Sequence, residues 1–177
     1  QAELTSDGRT ELLEGVREEA GRLTRLVANL LDLTRLESGD FPLHIEPCPL
    51  EEIGGAALEP TRGRLRGRDV QVDLPDEMLV VAADPVLLEQ VFVNLLENAG
   101  KYSPAGSPIE VRAHAVGDTI QVAVADRGAG IRPGEEERLF ERFYRVTDGD
   151  RSEGTGLGLT VCRAILKAHH GRIWAEN

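Results

Sequence analysis

No stretch of this chain stays apolar for the roughly 20 residues that a membrane-spanning helix needs. Nor does it open on a secretory signal. Positive charge is in short supply. Lys and Arg number 20 against 31 Asp and Glu, a formal net charge of −11. That balance argues against a nucleic-acid backbone as partner and against direct contact with an anionic membrane. Cysteine is nearly missing: Cys48 and Cys162 lie far apart, without zinc-ligand spacing. A lone pair is not a disulfide framework, so both read as reduced thiols in a cytosolic setting. Aromatic residues make up 4%, yet a hydrophobic content of 41% still permits a core. The 177 residues suffice for one compact domain and an extra element. The chain begins without methionine and stops at Trp174-Ala175-Glu176-Asn177, inside what reads as a strand. It therefore reads as a piece of a longer protein, with its final strands truncated.

Apolar spacing divides the chain in two. Residues 10–38 predict one long helix, with Val16, Ala20, Leu23, Val27 and Leu30 on a 3-4 spacing. Leu12, Leu26 and Leu33 add a second stripe, while Glu18, Glu19, Arg22, Arg25 and Arg35 supply a charged face. Two stripes favour a helix-bundle seam over packing on one sheet. The segment offers no partner helix of its own before residue 41, so a second copy or a preceding helix is expected to bury it. Ser38-Gly39-Asp40 ends it.

From residue 41 onward the pattern alternates between strands and helices. Strands are expected near Leu43–Ile45, at 70–74 and at Met78–Ala82, with a helix at Leu50–Arg66 between the first two. Asp84 and Pro85 form an N-cap and first-position pair for a helix over 85–101. Two strands, Ile109–Val116 and Thr119–Ala125, flank Gly117-Asp118, a hairpin signal. Residues 127–155 are rich in glycine and charge, with a turn expected in Glu135–Phe143. A helix follows over 156–170, and Arg172–Glu176 reads as the start of a strand.

Chemistry concentrates in the third helix. Within its apolar run stands Asn94-Leu95-Leu96-Glu97-Asn98. Asn94 and Asn98 share a face, and Lys101 lies on it one turn later. Asparagine disfavours helix interiors by several tenths of a kcal/mol, and a buried amide without a partner costs roughly 1–3 kcal/mol. Two amides and an ammonium on one face of an oily helix point to a ligand, such as a cation among phosphate oxygens. Further on, Asp126-Arg127-Gly128-Ala129-Gly130 puts a carboxylate where a strand ends, followed by two glycines that let backbone pass close to a flat ring. The same residues also read as an ordinary Asp-Gly turn. Leu139-Phe140-Glu141-Arg142-Phe143-Tyr144-Arg145 combines three aromatics with arginines able to reach a phosphate, or else makes a small satellite core. Gly154-Thr155-Gly156-Leu157-Gly158-Leu159 opens a helix and exposes N–H groups to an anion, or is a flexible connection. It is neither a dinucleotide fingerprint nor a Walker loop.

In this order and spacing, the motifs resemble the N, G1, F and G2 boxes of sensor histidine kinases, in the ATPase superfamily that includes gyrase B, the Hsp90 chaperones and MutL. The resemblance covers residues 43–177. It extends back to Leu30-Leu31-Asp32-Leu33-Thr34-Arg35-Leu36-Glu37-Ser38-Gly39, which resembles the end of that family's second dimerisation helix. Residues 30–58 and 89–103 are most similar to potassium-responsive Kdp-type sensor kinases.

The resemblance implies an α/β fold. It would be a two-layer sandwich of a mixed sheet with helices on one face, the GHKL or Bergerat ATP-binding fold, at 41–177. A long dimerisation helix would precede it at 1–40. It implies ATP and Mg²⁺ as ligands. Asn98 would bind the metal, and Asn94 would hold its water or phosphate shell. Lys101 would touch phosphate and Tyr102 would flank the nucleotide. Asp126 would take the adenine amine, with Gly128 and Gly130 shaping the pocket. Arg142 and Arg145 would reach the terminal phosphates. Gly154, Thr155, Gly156, Leu157 and Gly158 would lie beside the phosphates, closing a lid over about 131–155. The reaction implied is transfer of the γ-phosphate to a histidine, then to an aspartate of a response regulator receiver domain. It would take place in a homodimer joined through the 10–38 helix, as the cytoplasmic part of a plasma-membrane parent under potassium or turgor control.

The family's acceptor motif, His-Glu/Asp-x-Arg-Thr-Pro, is absent from the chain. His44, His114, His169 and His170 stand elsewhere and read as surface or capping residues. Two other functions share the same motif set: a nucleotide-binding regulatory module without kinase activity, and an anti-sigma-type serine kinase. Intact boxes argue against the first, and the 10–38 helix against the second.

Overall fold

The computed structural model describes residues 6–38, 42–145 and 155–177. Its elements are α1 (Ser6–Ser38), β1 (Glu46–Pro49), α2 (Leu50–Thr61), β2 (Val70–Asp73), β3 (Val80–Ala83), α3 (Pro85–Tyr102), β4 (Ile109–Val116), β5 (Thr119–Ala125) and α4 (Gly158–Ala168), with a 3-10 turn at Arg138–Phe140. β2, β4 and β5 form a mixed sheet, β2 parallel and β5 antiparallel to the central β4. β1 and β3 form a separate antiparallel pair. Pro47 and Pro49 in β1 fit this place, because each strand of a two-stranded pair is an edge where a missing N–H is tolerated.

β4 shows why the helices lie on one face. Ile109, Val111 and Ala113 are buried, while Arg112 and His114 at alternate positions are exposed. Against the buried row pack Ile53 and Ala57 of α2 and Phe92, Leu96 and Ala99 of α3. A second cluster sits on the other side of α3, where Leu87 and Val91 meet Val161, Cys162 and Ile165 of α4 and Leu33 of α1. α3 thus belongs to both clusters.

Both ends of α3 are fastened by side chains. Buried Asp84 accepts from the N–H groups of Val86 at 3.2 Å and Leu87 at 3.3 Å, and through its other oxygen from His44 N–H at 3.0 Å. Its own N–H donates to His169 Nε2 at 2.9 Å, while His169 Nδ1 lies 2.8 Å from the Ile165 carbonyl. That pair of contacts fits the neutral Nδ1–H tautomer and ties the end of α4 to the start of α3. At the far end the Arg68 guanidinium donates to the carbonyls of Gly100 at 2.7 Å, Ser103 at 3.0 Å and Pro104 at 2.6 Å, satisfying acceptors a helix end leaves open.

α1 follows the expected span, but only its C-terminal end is seated. Leu33 is 1% exposed, whereas Leu12, Leu13, Val16, Leu23 and Val27 are all more than half exposed. Gln90 of α3 adds a hydrogen bond to Asp32 at 3.2 Å. The C-terminal part of this helix therefore finds partners in α3 and α4.

Several element boundaries differ from the pattern-based expectations, among them β3, which runs Val80–Ala83 rather than Met78–Ala82. β1 begins at Glu46, so Leu43–Ile45 lie outside it. α2 ends at Thr61, just after Pro60, and turns occupy 62–67, where Gly67 has φ +78°. α4 begins at Gly158, because Gly156 at φ +69° is left-handed. Arg172–Glu176 is not a strand, since the segment has no ladder partner among the described residues.

α4 closes with a Schellman-type turn: Gly171 N–H donates to the Leu166 carbonyl at 2.7 Å and His170 N–H to that of Lys167 at 3.1 Å. The left-handed residue is His170, at φ 59°. Left-handed strain of roughly 1–2 kcal/mol exceeds the roughly 0.5–1 kcal/mol of extra chain entropy that glycine loses on folding. His170→Gly is therefore expected to stabilise the protein by about 0.5 kcal/mol, seen as a higher urea midpoint at unchanged slope. A lower midpoint would contradict this account of the turn.

Candidate functional site

The Asn94 side chain points at the start of α4. A Cβ added to Gly158 would stand 3.3 Å from Asn94 Oδ1, so a larger first residue of α4 would press on the amide. Asn94 Nδ2 is buried and makes no hydrogen bond. Leu157, at the N-cap, gives α4 no side-chain cap. A helix start with its positive dipole end thus faces an unsatisfied carboxamide. The expected shared face of α3 continues through half-buried Asn98 to Lys101. Lys101 Nζ donates to Tyr102 Oη at 2.8 Å and lies 4.3 Å from the centre of that ring.

Asp126 stands exposed just past the end of β5. Its Oδ1 accepts the Gly128 N–H at 2.6 Å, the turn foreseen as the ordinary alternative. The loop also lies against the end of α3, since a Cβ on Gly128 would come within 2.9 Å of the Tyr102 carbonyl oxygen. Gly128 is needed for that approach. Gly130, at φ +75°, meets a different residue: a Cβ there would come within 2.7 Å of Asn177 Oδ1.

The aromatic segment is anchored on α4. Phe140 is 2% exposed, and its carbonyl accepts from Thr160 Oγ1 at 3.0 Å and from the Arg163 guanidinium at 2.8 Å. Tyr144 lies under Arg138 at 4.5 Å, and burial together with Glu135 pushes its hydroxyl above the usual phenol range. Phe143 N–H donates to the Gly156 carbonyl at 2.9 Å, and a Cβ on Gly156 would lie 2.8 Å from the Phe143 backbone. The aromatic and glycine motifs therefore meet. Arg142 is exposed and Arg145 half-buried in that same segment, and Thr155 is half-buried just before Gly156. Gly154 lies outside the described residues.

Sequence reasoning missed Thr160, Arg163 and Asn177. Thr160 carried a faint signal, as a polar residue beside the apolar Val161 and Cys162. Asn177 carried none, because its partner Ile131 is far away in the chain. The four histidines occupy surface or capping positions: His44, His114 and His170 are exposed, and His169 is the C-cap of α4.

Residues 83–177 match the sequence family described as histidine kinase-, DNA gyrase B- and HSP90-like ATPase. The chain belongs to this family. The matched span begins at Ala83, so it takes in α3, the Asp126 loop, the aromatic segment and α4.

Among curated proteins, the sensor protein KdpD of Escherichia coli strain K12 is 41% identical over 92% of this chain and 18% of its own length. Among solved structures, the histidine kinase ThkA in complex with the response regulator TrrA shares the fold, with a TM-score of 0.77 at 24% identity over 98% of this chain and 48% of that one. Full-length ShkA in complex with AMPPNP superposes at a TM-score of 0.79 with 26% identity, covering 98% of this chain and 36% of that one. The chain thus spans less than a fifth of the KdpD sequence. Among the described residues no helix is long and apolar enough to cross a membrane.

Behind the site, the Cys162 thiol lies next to Asn94 and points to the Val91 carbonyl at 3.8 Å. Burial pushes this thiol from 9.0 up to about 12. The unfolded chain then releases the proton first, so stability is present below about pH 9 and is lost as pH rises toward 12. The expected slope is roughly 1.4 kcal/mol per pH unit for this thiol. Urea unfolding at pH 8.5, 9.5 and 10.5 is expected to show the decline in the native sequence and a shallower one in Cys162→Ala. Equal slopes would mean that the thiol ionises freely in the folded state.

Proposed function

We propose that this chain is the ATP-binding catalytic part of a two-component sensor histidine kinase. It would transfer the ATP γ-phosphate to a histidine on a dimerisation helix, and the phosphoryl group would pass on to an aspartate of a response regulator receiver domain. The observation that carries the reading is the meeting of Asn94 with Gly158. Asn94 Nδ2 is buried without a hydrogen bond, and its carboxamide faces a helix start that Gly158 brings near. Apart from the Cys162 thiol beside it, no partner for Asn94 Nδ2 stands among the described residues, and a triphosphate oxygen would supply one.

The residues support a division of labour. Breaking the bond between the β- and γ-phosphates while a histidine nitrogen attacks phosphorus needs positioning and charge neutralisation more than covalent help. Asn94 and the Gly156-Leu157-Gly158 backbone would orient the phosphates, with Gly154 and Thr155 leading into that turn. Lys101 would leave the Tyr102 hydroxyl for a phosphate oxygen, and Tyr102 would then flank the base. Arg142 and Arg145 would meet the terminal phosphates. Asp126 would accept the adenine amine above the surface made by Gly128 and Gly130. The donor set suits a hard cation, and Asn98 would hold Mg²⁺ through its amide oxygen. That ion would supply neutralisation of the triphosphate charge.

For α1, the reading is the second helix of a dimerisation hairpin, with 1–40 as that part and 41–177 as the catalytic domain. The exposed Leu12, Leu13, Val16, Leu23 and Val27 support it, since a row of apolar side chains along one helix calls for a bundle. The parent would be membrane-bound with this part in the cytoplasm, and the resemblance of residues 30–58 and 89–103 to potassium-responsive Kdp-type sensor kinases implies potassium or turgor control.

Asn98→Ala is expected to abolish Mg²⁺-dependent ATP binding while the circular dichroism spectrum stays native. Unchanged affinity by calorimetry would remove the metal role. Mixing the chain with ATP, Mg²⁺ and a separate dimerisation domain carrying the acceptor histidine is expected to label that histidine from γ-³²P. ATP binding without any label would leave a nucleotide-binding module in place of a kinase.

A further inference from the structure

The loop that carries Asp126 is held from outside by a residue that none of the motifs contains. Ile131 N–H donates to Asn177 Oδ1 at 2.7 Å, and Asn177 Nδ2 donates back to the Ile131 carbonyl at 2.9 Å. A neighbouring strand would offer the same donor and acceptor from its backbone, but here one side chain supplies both. Because the N–H and C=O of one residue are held together, the peptide planes on both sides of Ile131 are fixed.

Gly130 is shaped around this contact. It sits at φ +75°, and a Cβ would come within 2.7 Å of Asn177 Oδ1. Any side chain at position 130 would be strained and would also expel the amide. From Gly130 the chain runs back to Gly128, whose N–H holds Asp126 Oδ1 at 2.6 Å and whose α-carbon faces the Tyr102 carbonyl. The loop therefore lies against the Tyr102 carbonyl on one side and is hydrogen-bonded to Asn177 on the other, with the Asp126 carboxylate oriented by the loop's own backbone.

We propose that Asn177 is a positioning residue for purine selection: its carboxamide locks the loop so that Asp126 faces the exocyclic amine of adenine. This rests on the nucleotide-binding reading above and adds a residue and a specificity role to it. Asn177 is exposed, and two exposed hydrogen bonds contribute little to global stability. A purely structural role would accordingly leave nucleotide preference unchanged. The carboxamide is specific, because aspartate at 177 could accept from Ile131 N–H but would set a carboxylate against the Ile131 carbonyl.

The test is titration calorimetry with Mg²⁺–ATP and Mg²⁺–GTP on the native chain, Asn177→Ala, Asn177→Asp, Asp126→Asn and the Ala/Asn double variant. The native chain is expected to prefer ATP. Asn177→Ala is expected to weaken ATP about fivefold with little change for GTP, and Asn177→Asp to fall between. In the Asp126→Asn background the alanine substitution is expected to cost less than about twofold, because the two residues act through one loop. Should the alanine variant melt early, Asn177→Asp, which keeps the side-chain shape, decides on the same preference ratio. A native ATP preference in Asn177→Ala, or an equal loss with and without Asp126, overturns the positioning role alone. Failure of the native chain to bind ATP overturns the nucleotide-binding reading and this inference with it.

Discussion

Helix α3 is buried along two sides and must carry polar amides along a third. Phe92, Leu96 and Ala99 commit it to the sheet, and Leu87 and Val91 commit it to α4 and the end of α1. Little rotational freedom is left, because turning the helix would expose one apolar stripe or bury the other face. Asn94, Asn98 and Lys101 therefore inherit their direction from the apolar packing around α3. Asp84 strengthens the constraint by capping α3 while its own N–H engages His169. The relative placement of α3 and α4, on which the approach of Gly158 to Asn94 depends, is thus fixed both by apolar packing and by a polar tie at the opposite end.

Local signals made much of this legible in the sequence. Asp84-Pro85 marked the start of α3, Gly117-Asp118 marked the turn between β4 and β5, and both strand spans were readable from alternation alone. The four motifs were legible by type and order. What the sequence could not disclose depended on distant partners. β1 lies at Glu46–Pro49 because β3 pairs there, although Leu43 and Ile45 look more strand-like than two prolines. Arg172–Glu176 has the composition of a strand but no ladder to join. The role of Gly130 was legible only as a glycine beside a pocket. What it accommodates, the Asn177 amide, comes from the other end of the chain.

The contact between Phe143 and Gly156 holds a conformation that the sequence disfavours. Phe143 adopts φ 62°, unusual for a bulky residue, and its ring remains exposed. Such a backbone persists only where its surroundings hold it. Here the Gly156 carbonyl accepts its N–H, while the preceding Phe140 carbonyl is held by Thr160 and Arg163. Both branches of the connection between the aromatic segment and α4 are thereby referenced to α4, the helix whose first turn faces Asn94.

The seating of α1 has a mechanical consequence. Its 33 residues extend about 50 Å at helical rise, yet the buried grip is Leu33, near one end. A stiff rod held near its tip acts as a lever with a long arm. A modest sideways load on that arm becomes a large torque at the grip, and the grip shares its packing with Cys162, the neighbour of Asn94.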